Sequence, residues 1–215
     1  MVQAVLFDLD GTLLDTLDDL AAAVNHALQS CGYPVRTRDE VRRFIGNGVV
    51  KLMQRAMPAD VTQAEFDRCF ASFRSYYLSH MTDLTRVFPG ILPLLQALRA
   101  RGIQTAVVSN KLHAGVTGLC EDYFGDLLSC AFGVQTEPER KPNPVNVLRA
   151  LEYLGVKKEN AVYVGDSEVD VQTAQNAGLR CVGVTWGYRD KETLRAFGAE
   201  TLIDTPQQLL TLLQS

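Results

Sequence analysis

The chain predicts an α/β fold, with a parallel core sheet, helices on both faces, and an all-helical cap inserted after the first strand. Three observations carry this expectation. Val2 to Phe7 is an apolar run broken only by Gln3, as expected of a strand buried on both sides. From Asp15 to about Met81, apolar residues recur at helical spacing and no convincing strand interrupts them. After Pro89-Gly90, short apolar runs alternate with helical patterns, the rhythm of parallel βαβ units.

In order along the chain, the first strand stops at Asp8-Leu9-Asp10-Gly11-Thr12-Leu13. Leu17, Leu20, Ala21, Val24, Ala27 and Leu28 then mark a helix closed by Gly32 and Pro34. Thr37 with Glu40 three residues later is a capping-box start. Ile45-Gly46-Asn47-Gly48 breaks the pattern before helical spacing resumes at Val50 and again from Ala64 to Leu78. Beyond Gly90 the reading is helix 91–101, strand 103–108, helix 114–123, strand 130–134, helix 143–154, strand 161–164, helix 169–177, strands 181–184 and 201–203, and a terminal helix from Pro206. Residues 1–14 and 82–215 are expected to form the core and 15–81 the cap, joined near Leu14–Thr16 and Thr82–Phe88.

Composition bounds the function. An apolar fraction of 47%, a charged fraction of 21% and a net charge of −4 describe an ordinary globular chain with no general attraction for nucleic acid or acidic lipid. No apolar run approaches the ~20 residues needed to cross a bilayer, and no secretory leader is legible, so a cytoplasmic location is expected. Cys31, Cys69, Cys120, Cys130 and Cys181 are scattered, which argues against a disulfide framework or a zinc site.

Polar residues cluster where apolar strands end. Alternation sends Asp8 and Asp10 to one side of the first strand, at the edge where open α/β sheets bind ligands. Ser109-Asn110-Lys111 follows a second strand, Lys141-Pro142 precedes a helix, and Gly165-Asp166-Ser167 with Asp170 closes a third strand. Each has a bland reading. Ser109 could cap a helix, Lys141 could be an exposed loop lysine, and Asp166 and Asp170 could favour a helix start. Their convergence on one sheet edge favours a catalytic site.

In this order the residues Asp8-x-Asp10-Gly11-Thr12, Ser109, Lys141-Pro142 and Gly165-Asp166-Ser167-x-x-Asp170 resemble the four motifs of the haloacid dehalogenase-like hydrolases. Within that superfamily the chain is most similar to the phosphoglycolate phosphatase group, on Phe7 to Thr16, on Ile45 to Gly48, and on Ser109-Asn110-Lys111. The resemblance implies a Rossmann-like core and a Mg²⁺-dependent phosphatase. Asp8 would be the nucleophile that forms an aspartyl-phosphate, and Asp10 the acid/base. Asp8, the Asp10 carbonyl and Asp166 would hold Mg²⁺, with Asp170 behind them. Ser109 and the Asn110 amide would bind the phosphoryl group, and Lys141 would offset charge. Dehalogenases of this superfamily lack an acid at the position of Asp10, so dehalogenation is not expected.

The partner expected is a small phosphorylated metabolite, with 2-phosphoglycolate favoured, and neither nucleic acid nor membrane. In the cap, Gly46, Asn47 and Gly48 would admit a small anion to backbone amides, and Arg43 could meet a substrate carboxylate or sit solvated beside Arg42. Rival readings are a sugar-phosphate phosphatase, a pyrophosphatase, a phosphomutase of the β-phosphoglucomutase kind, and a non-catalytic module that binds a phospho-ligand. His26, His80 and His113 have no assigned partner, Trp186 and Tyr188 read as packing residues, and oligomeric state is not legible.

Overall fold

A computed structural model of the protein describes residues 1–46 and 48–213. The elements run β1 (Ala4–Phe7), β2 (Leu14–Asp15), α1 (Leu17–Ser30), α2 (Arg38–Phe44), α3 (Val49–Ala56), α4 (Gln63–His80), β3 (Arg86–Val87), α5 (Ile91–Ala100) and β4 (Gln104–Leu112). They continue as α6 (His113–Phe124), β5 (Cys130–Val134), α7 (Val145–Leu154), β6 (Ala161–Gly165), α8 (Glu168–Ala177), β7 (Arg180–Val184), α9 (Lys191–Ala196), β8 (Thr201–Ile203) and α10 (Pro206–Leu212). The chain divides into two compact units, Met1–Leu14 with Val87–Ser215, and Asp15–Arg86.

The first unit is built on a six-stranded sheet in the order β5-β4-β1-β6-β7-β8, and every neighbouring pair is parallel. β1 lies between β4 and β6, with Ala4–Phe7 registered on Gln104–Val107 and on Ala161–Val164. Alternate β1 residues face opposite layers. Val5 and Phe7 pack with Ile91, Leu94, Val116, Leu119 and Leu209, from α5, α6 and α10. Ala4 and Leu6 pack with Val147, Ala150 and Leu151 of α7 and Ala174 of α8. All four β1 residues are buried, which is why the run shows no polar alternation. Truncating Leu6 to Ala would cost about 2–5 kcal/mol by the ordinary cost of a core cavity.

β4 departs from the expected strand, which ended at Val108. It extends to Leu112, and its pairing with β5 shifts from Val108↔Phe132 to Leu112↔Val134. Four residues of β4 therefore span two of β5, and the irregularity falls on Ser109-Asn110-Lys111. Such a shift re-aims side chains at a sheet edge.

The second unit is helical. Its capping boxes at Thr37/Glu40 and Thr62/Glu65 start α2 and α4, each worth about 1 kcal/mol. The unit runs to Arg86, five residues past the expected boundary at 81. The reason is Asp19, a buried carboxylate on α1 that accepts hydrogen bonds from Leu84 N (2.9 Å), Thr85 N (2.8 Å) and Thr85 Oγ1 (2.7 Å). The chain crosses between the units at the paired two-residue strands β2 and β3.

His26 stacks on Tyr76, which stacks on His80, with ring centroids 4.1 and 4.0 Å apart. His113 Nδ1 accepts from Gly133 N at 3.2 Å. All five cysteines are free thiols. Among the described residues no helix is long and apolar enough to cross a membrane.

Candidate active site

The site gathers at the carboxyl edge of the first unit's sheet. The Asp8 amide continues the β1–β6 ladder by donating to Val164 O (2.9 Å), which fixes the backbone from which its side chain projects. The chain then turns back, with Leu13 N and Leu14 N both donating to Leu9 O. Gly11 makes this turn possible. Its φ is +91°, and a Cβ there would collide with the Asp166 carboxylate.

Lys141 is the hub. Its Nζ donates to Asp8 Oδ1 (2.7 Å), Asp170 Oδ1 (2.7 Å) and Tyr163 Oη (3.2 Å), which uses all three ammonium hydrogens. The lysine is only 5% exposed. Asn110 holds its backbone through a reciprocal amide pair, with Lys141 N donating to Asn110 Oδ1 (2.7 Å) and Asn110 Nδ2 donating to Lys141 O (3.2 Å). This side-chain task was not legible in the sequence, where Asn110 was expected to contribute its backbone amide. Tyr163 arrives from the α7/α8 face of β6 and also lies within hydrogen-bonding distance of Asp170 Oδ1 (3.1 Å).

Asp170 closes the network on α8. Its Oδ2 accepts from Ser167 N (3.1 Å) and Ser167 Oγ (2.6 Å), completing a capping box for that helix. Asp166 Oδ2 accepts from the Tyr188 amide (2.7 Å), and Thr12 Oγ1 lies 3.4 Å from Asp166 Oδ1. Trp186 does more than pack, since its Nε1 donates to Thr12 O (3.0 Å). Between them, Gly187 approaches so closely that a Cβ would collide with Asp166 and with Gly11 O.

Asp10 forms a second cluster. Ser109 Oγ donates to Asp10 Oδ2 (3.4 Å), and Lys111 Nζ lies 3.2 Å from Asp10 Oδ1. The irregular end of β4 supplies both partners.

Asp8, Asp166 and Asp170 each offer a carboxylate oxygen within 4.8 Å of the others, and all three are buried. One lysine cannot neutralise three carboxylates. Burial, followed by the charge of Asp170, pushes Asp8 well above the usual carboxylate range and Asp166 up to about 7. Burial opposes the charge on Lys141, but Asp170 and Asp8 outweigh it and hold the ammonium well above its ordinary value. The cluster is short of positive charge and rich in hard oxygen donors, which fits a divalent cation. Asp170 uses both oxygens on protein donors, Oδ1 on Lys141 and Oδ2 on Ser167, and Asp166 takes the Tyr188 amide on Oδ2.

The structure thus brings Asp8, Asp10, Ser109, Asn110, Lys141, Asp166 and Asp170 to one edge. Arg43, Gly46 and Gly48 belong to the second unit. There Arg43 is exposed on α2, both glycines have positive φ, and Arg55 Nη1 donates to Phe44 O (2.7 Å) and Gly46 O (3.1 Å). Asn47 lies outside the described residues.

The chain matches the haloacid dehalogenase-like hydrolase family over residues 5–184. It is 38% identical over 213 residues to a phosphoglycolate phosphatase of Pseudomonas putida, covering 96% of this chain and 78% of that protein. A phosphoglycolate phosphatase of Neisseria meningitidis is 37% identical over 198 residues, 90% and 84% of the two chains. Among solved structures, a predicted phosphoglycolate phosphatase from Haemophilus somnus superposes with a TM-score of 0.90 at 32% identity, covering 99% and 98%. CbbY from Rhodobacter sphaeroides, in complex with xylulose-1,5-bisphosphate, has a TM-score of 0.74 at 26% identity, covering 97% and 96%. With four motifs on one sheet edge and a family match across most of its length, the chain belongs to the haloacid dehalogenase-like hydrolases.

Proposed function

We propose that this protein is a Mg²⁺-dependent phosphatase of small phosphomonoesters, with 2-phosphoglycolate as its substrate. The observation that carries the reading is the buried Asp8–Lys141–Asp170–Asp166 cluster at the sheet edge. A phosphate monoester is dianionic, so an anionic nucleophile needs its target's charge offset and its line of attack fixed. Asp8 attacks phosphorus with one carboxylate oxygen. The P–O bond to the leaving group breaks, and an aspartyl-phosphate forms. Asp10 gives its proton to the departing alkoxide and later takes one from the water that hydrolyses the intermediate.

Lys141, aligned by Asn110, Tyr163 and Asp170, keeps Asp8 in a fixed rotamer and offsets charge at the phosphoryl oxygens. Ser109 Oγ and the Asn110 amide donate to those oxygens. Asp8, Asp166 and the Asp10 carbonyl would hold the metal, which when bound would offset the repulsion between carboxylate and phosphate. Residues 15–86 act as a cap, and Arg43, Gly46, Asn47 and Gly48 are its candidates for substrate recognition.

The names of the relatives support 2-phosphoglycolate. The bisphosphate held by the Rhodobacter neighbour favours a sugar phosphate as the second reading. Phosphate release from 2-phosphoglycolate, sugar phosphates and pyrophosphate, each with Mg²⁺ and with EDTA, decides between them. Turnover is expected to be fastest for 2-phosphoglycolate and lost in EDTA. No release from any ester would overturn the phosphatase reading.

A further inference from the structure

Lys141 has no hydrogen left for a second anion, because Asp8, Asp170 and Tyr163 take all three. The next ammonium on the same edge is Lys111. Its side chain is only 11% exposed and its Nζ lies 3.2 Å from Asp10 Oδ1. This is an unusual place for a lysine, since a mostly buried ammonium needs a reason to leave water. The register shift in β4 delivers it there, and its own amide donates to Ser109 Oγ at 3.2 Å.

We propose that Lys111 is the specificity-determining residue of this site, binding the carboxylate of a phosphomonoester whose leaving alkoxide carries that carboxylate on the adjacent carbon. The inference deepens the phosphatase reading above and rests on it. Asp10 serves the leaving oxygen, so the two must lie in contact during the reaction. In 2-phosphoglycolate one methylene separates that oxygen from the carboxylate carbon. A cation within reach of Asp10 is therefore also within reach of the substrate's second anion.

An ammonium on a flexible stem has three rotatable donors and can hold Asp10 and a ligand together. The charge count agrees. Lys141 is already shared between the carboxylates of Asp8 and Asp170, so a substrate carboxylate placed beside Asp10 has Lys111 as its adjacent ammonium.

The test compares 2-phosphoglycolate with ethyl phosphate, which differs only in having a methyl group where the carboxylate stands. Wild-type protein is expected to prefer 2-phosphoglycolate, and Lys111→Met should collapse that preference. The ratio of kcat/KM values should fall about 10- to 100-fold, chiefly through KM for 2-phosphoglycolate, as for loss of a charge-assisted hydrogen bond. Lys111→Arg should keep most of the preference. Lys111→Gln, which retains a polar group of similar length, gives the same reading if the methionine variant fails to fold.

An equal fall for both esters would overturn the proposal and leave Lys111 as a positioning residue for Asp10. An unchanged ratio would overturn it too. Wild-type protein that hydrolyses both esters equally defeats only the role of Lys111, whereas one that hydrolyses neither defeats the phosphatase reading and this inference with it.

Discussion

Each unit of this protein buries carboxylates, and it satisfies them in opposite ways. In the helical unit, Asp19 is 3% exposed and accepts from two backbone amides and one hydroxyl, all of them neutral donors. In the α/β unit, Asp8, Asp166 and Asp170 crowd one another around a single ammonium, and their repulsion adds to the cost of burial. Asp19 is a fastener. The other three are a reservoir of unbalanced charge, the arrangement expected where a cation and a phosphoryl group are to be held. Burial of a carboxylate therefore says little about function until its donors are counted.

The sharpest way to break this contrast is Asp8→Asn. The change is nearly isosteric, so the fold should persist while turnover falls about 10³-fold or more. Substantial phosphate release from folded Asp8→Asn protein would refute the nucleophile assignment.

Asp19→Ala should show the reverse pattern. Leaving the Leu84 and Thr85 amides without their acceptor is expected to cost about 2–4 kcal/mol, or a fall in Tm of roughly 5–10 °C. Activity per folded molecule toward p-nitrophenyl phosphate should change little. If activity collapses while Tm holds, Asp19 is no mere fastener.

A smaller effect is expected from pH. A carboxyl whose folded value is raised keeps its proton in the native state after the unfolded chain has lost it. Stability should therefore decline as pH rises from the ordinary 3.8 toward the folded value of about 7 for Asp166, with Asp8 acting in the same direction. Mg²⁺ requires the ionised forms, so its stabilising effect should grow over the same interval. Thermal melts at pH 5 and 8, in EDTA and in Mg²⁺, would read this as a widening gap in Tm, and Asp166→Asn should narrow it. Parallel curves would contradict the assignment.

The smallest effect should come from Arg43→Ala. As an exposed cation it is expected to change 2-phosphoglycolate turnover by about tenfold at most, and p-nitrophenyl phosphate turnover less. An equal loss on both esters would make the 43–48 segment structural.

Where local chemistry decided an element, the sequence was legible. Thr37 with Glu40 marked the start of α2, and the apolar run to Phe7, broken only by Gln3, marked β1. β4 was cut short because Ser109-Asn110-Lys111 reads as a loop, and a strand that continues through a register shift has no apolar signature. The short helix α9 and the two-residue strands β2 and β3 are set by tertiary packing and pairing too brief for any periodicity. The principal acids stood out at strand ends, and Lys141 as a cation just ahead of a helix. Their supports did not. The Tyr188 amide on Asp166 is backbone chemistry without a residue signature, and Tyr163 looks like any aromatic residue in a core strand.

The position of β1 between β4 and β6 also bears on how the protein is made. Asp8 leaves the ribosome well before the lysine that pairs with it, which follows 133 residues later. At ordinary rates of translation that interval is on the order of ten seconds. The helical unit, contiguous from Asp15 to Arg86, can complete its contacts within a nascent chain, whereas β1 must wait for both of its neighbours. A chain released before β6 would lack Asp166 and Asp170 as well as one of β1's two neighbours, so the charge cluster can assemble only after residue 170 has been made.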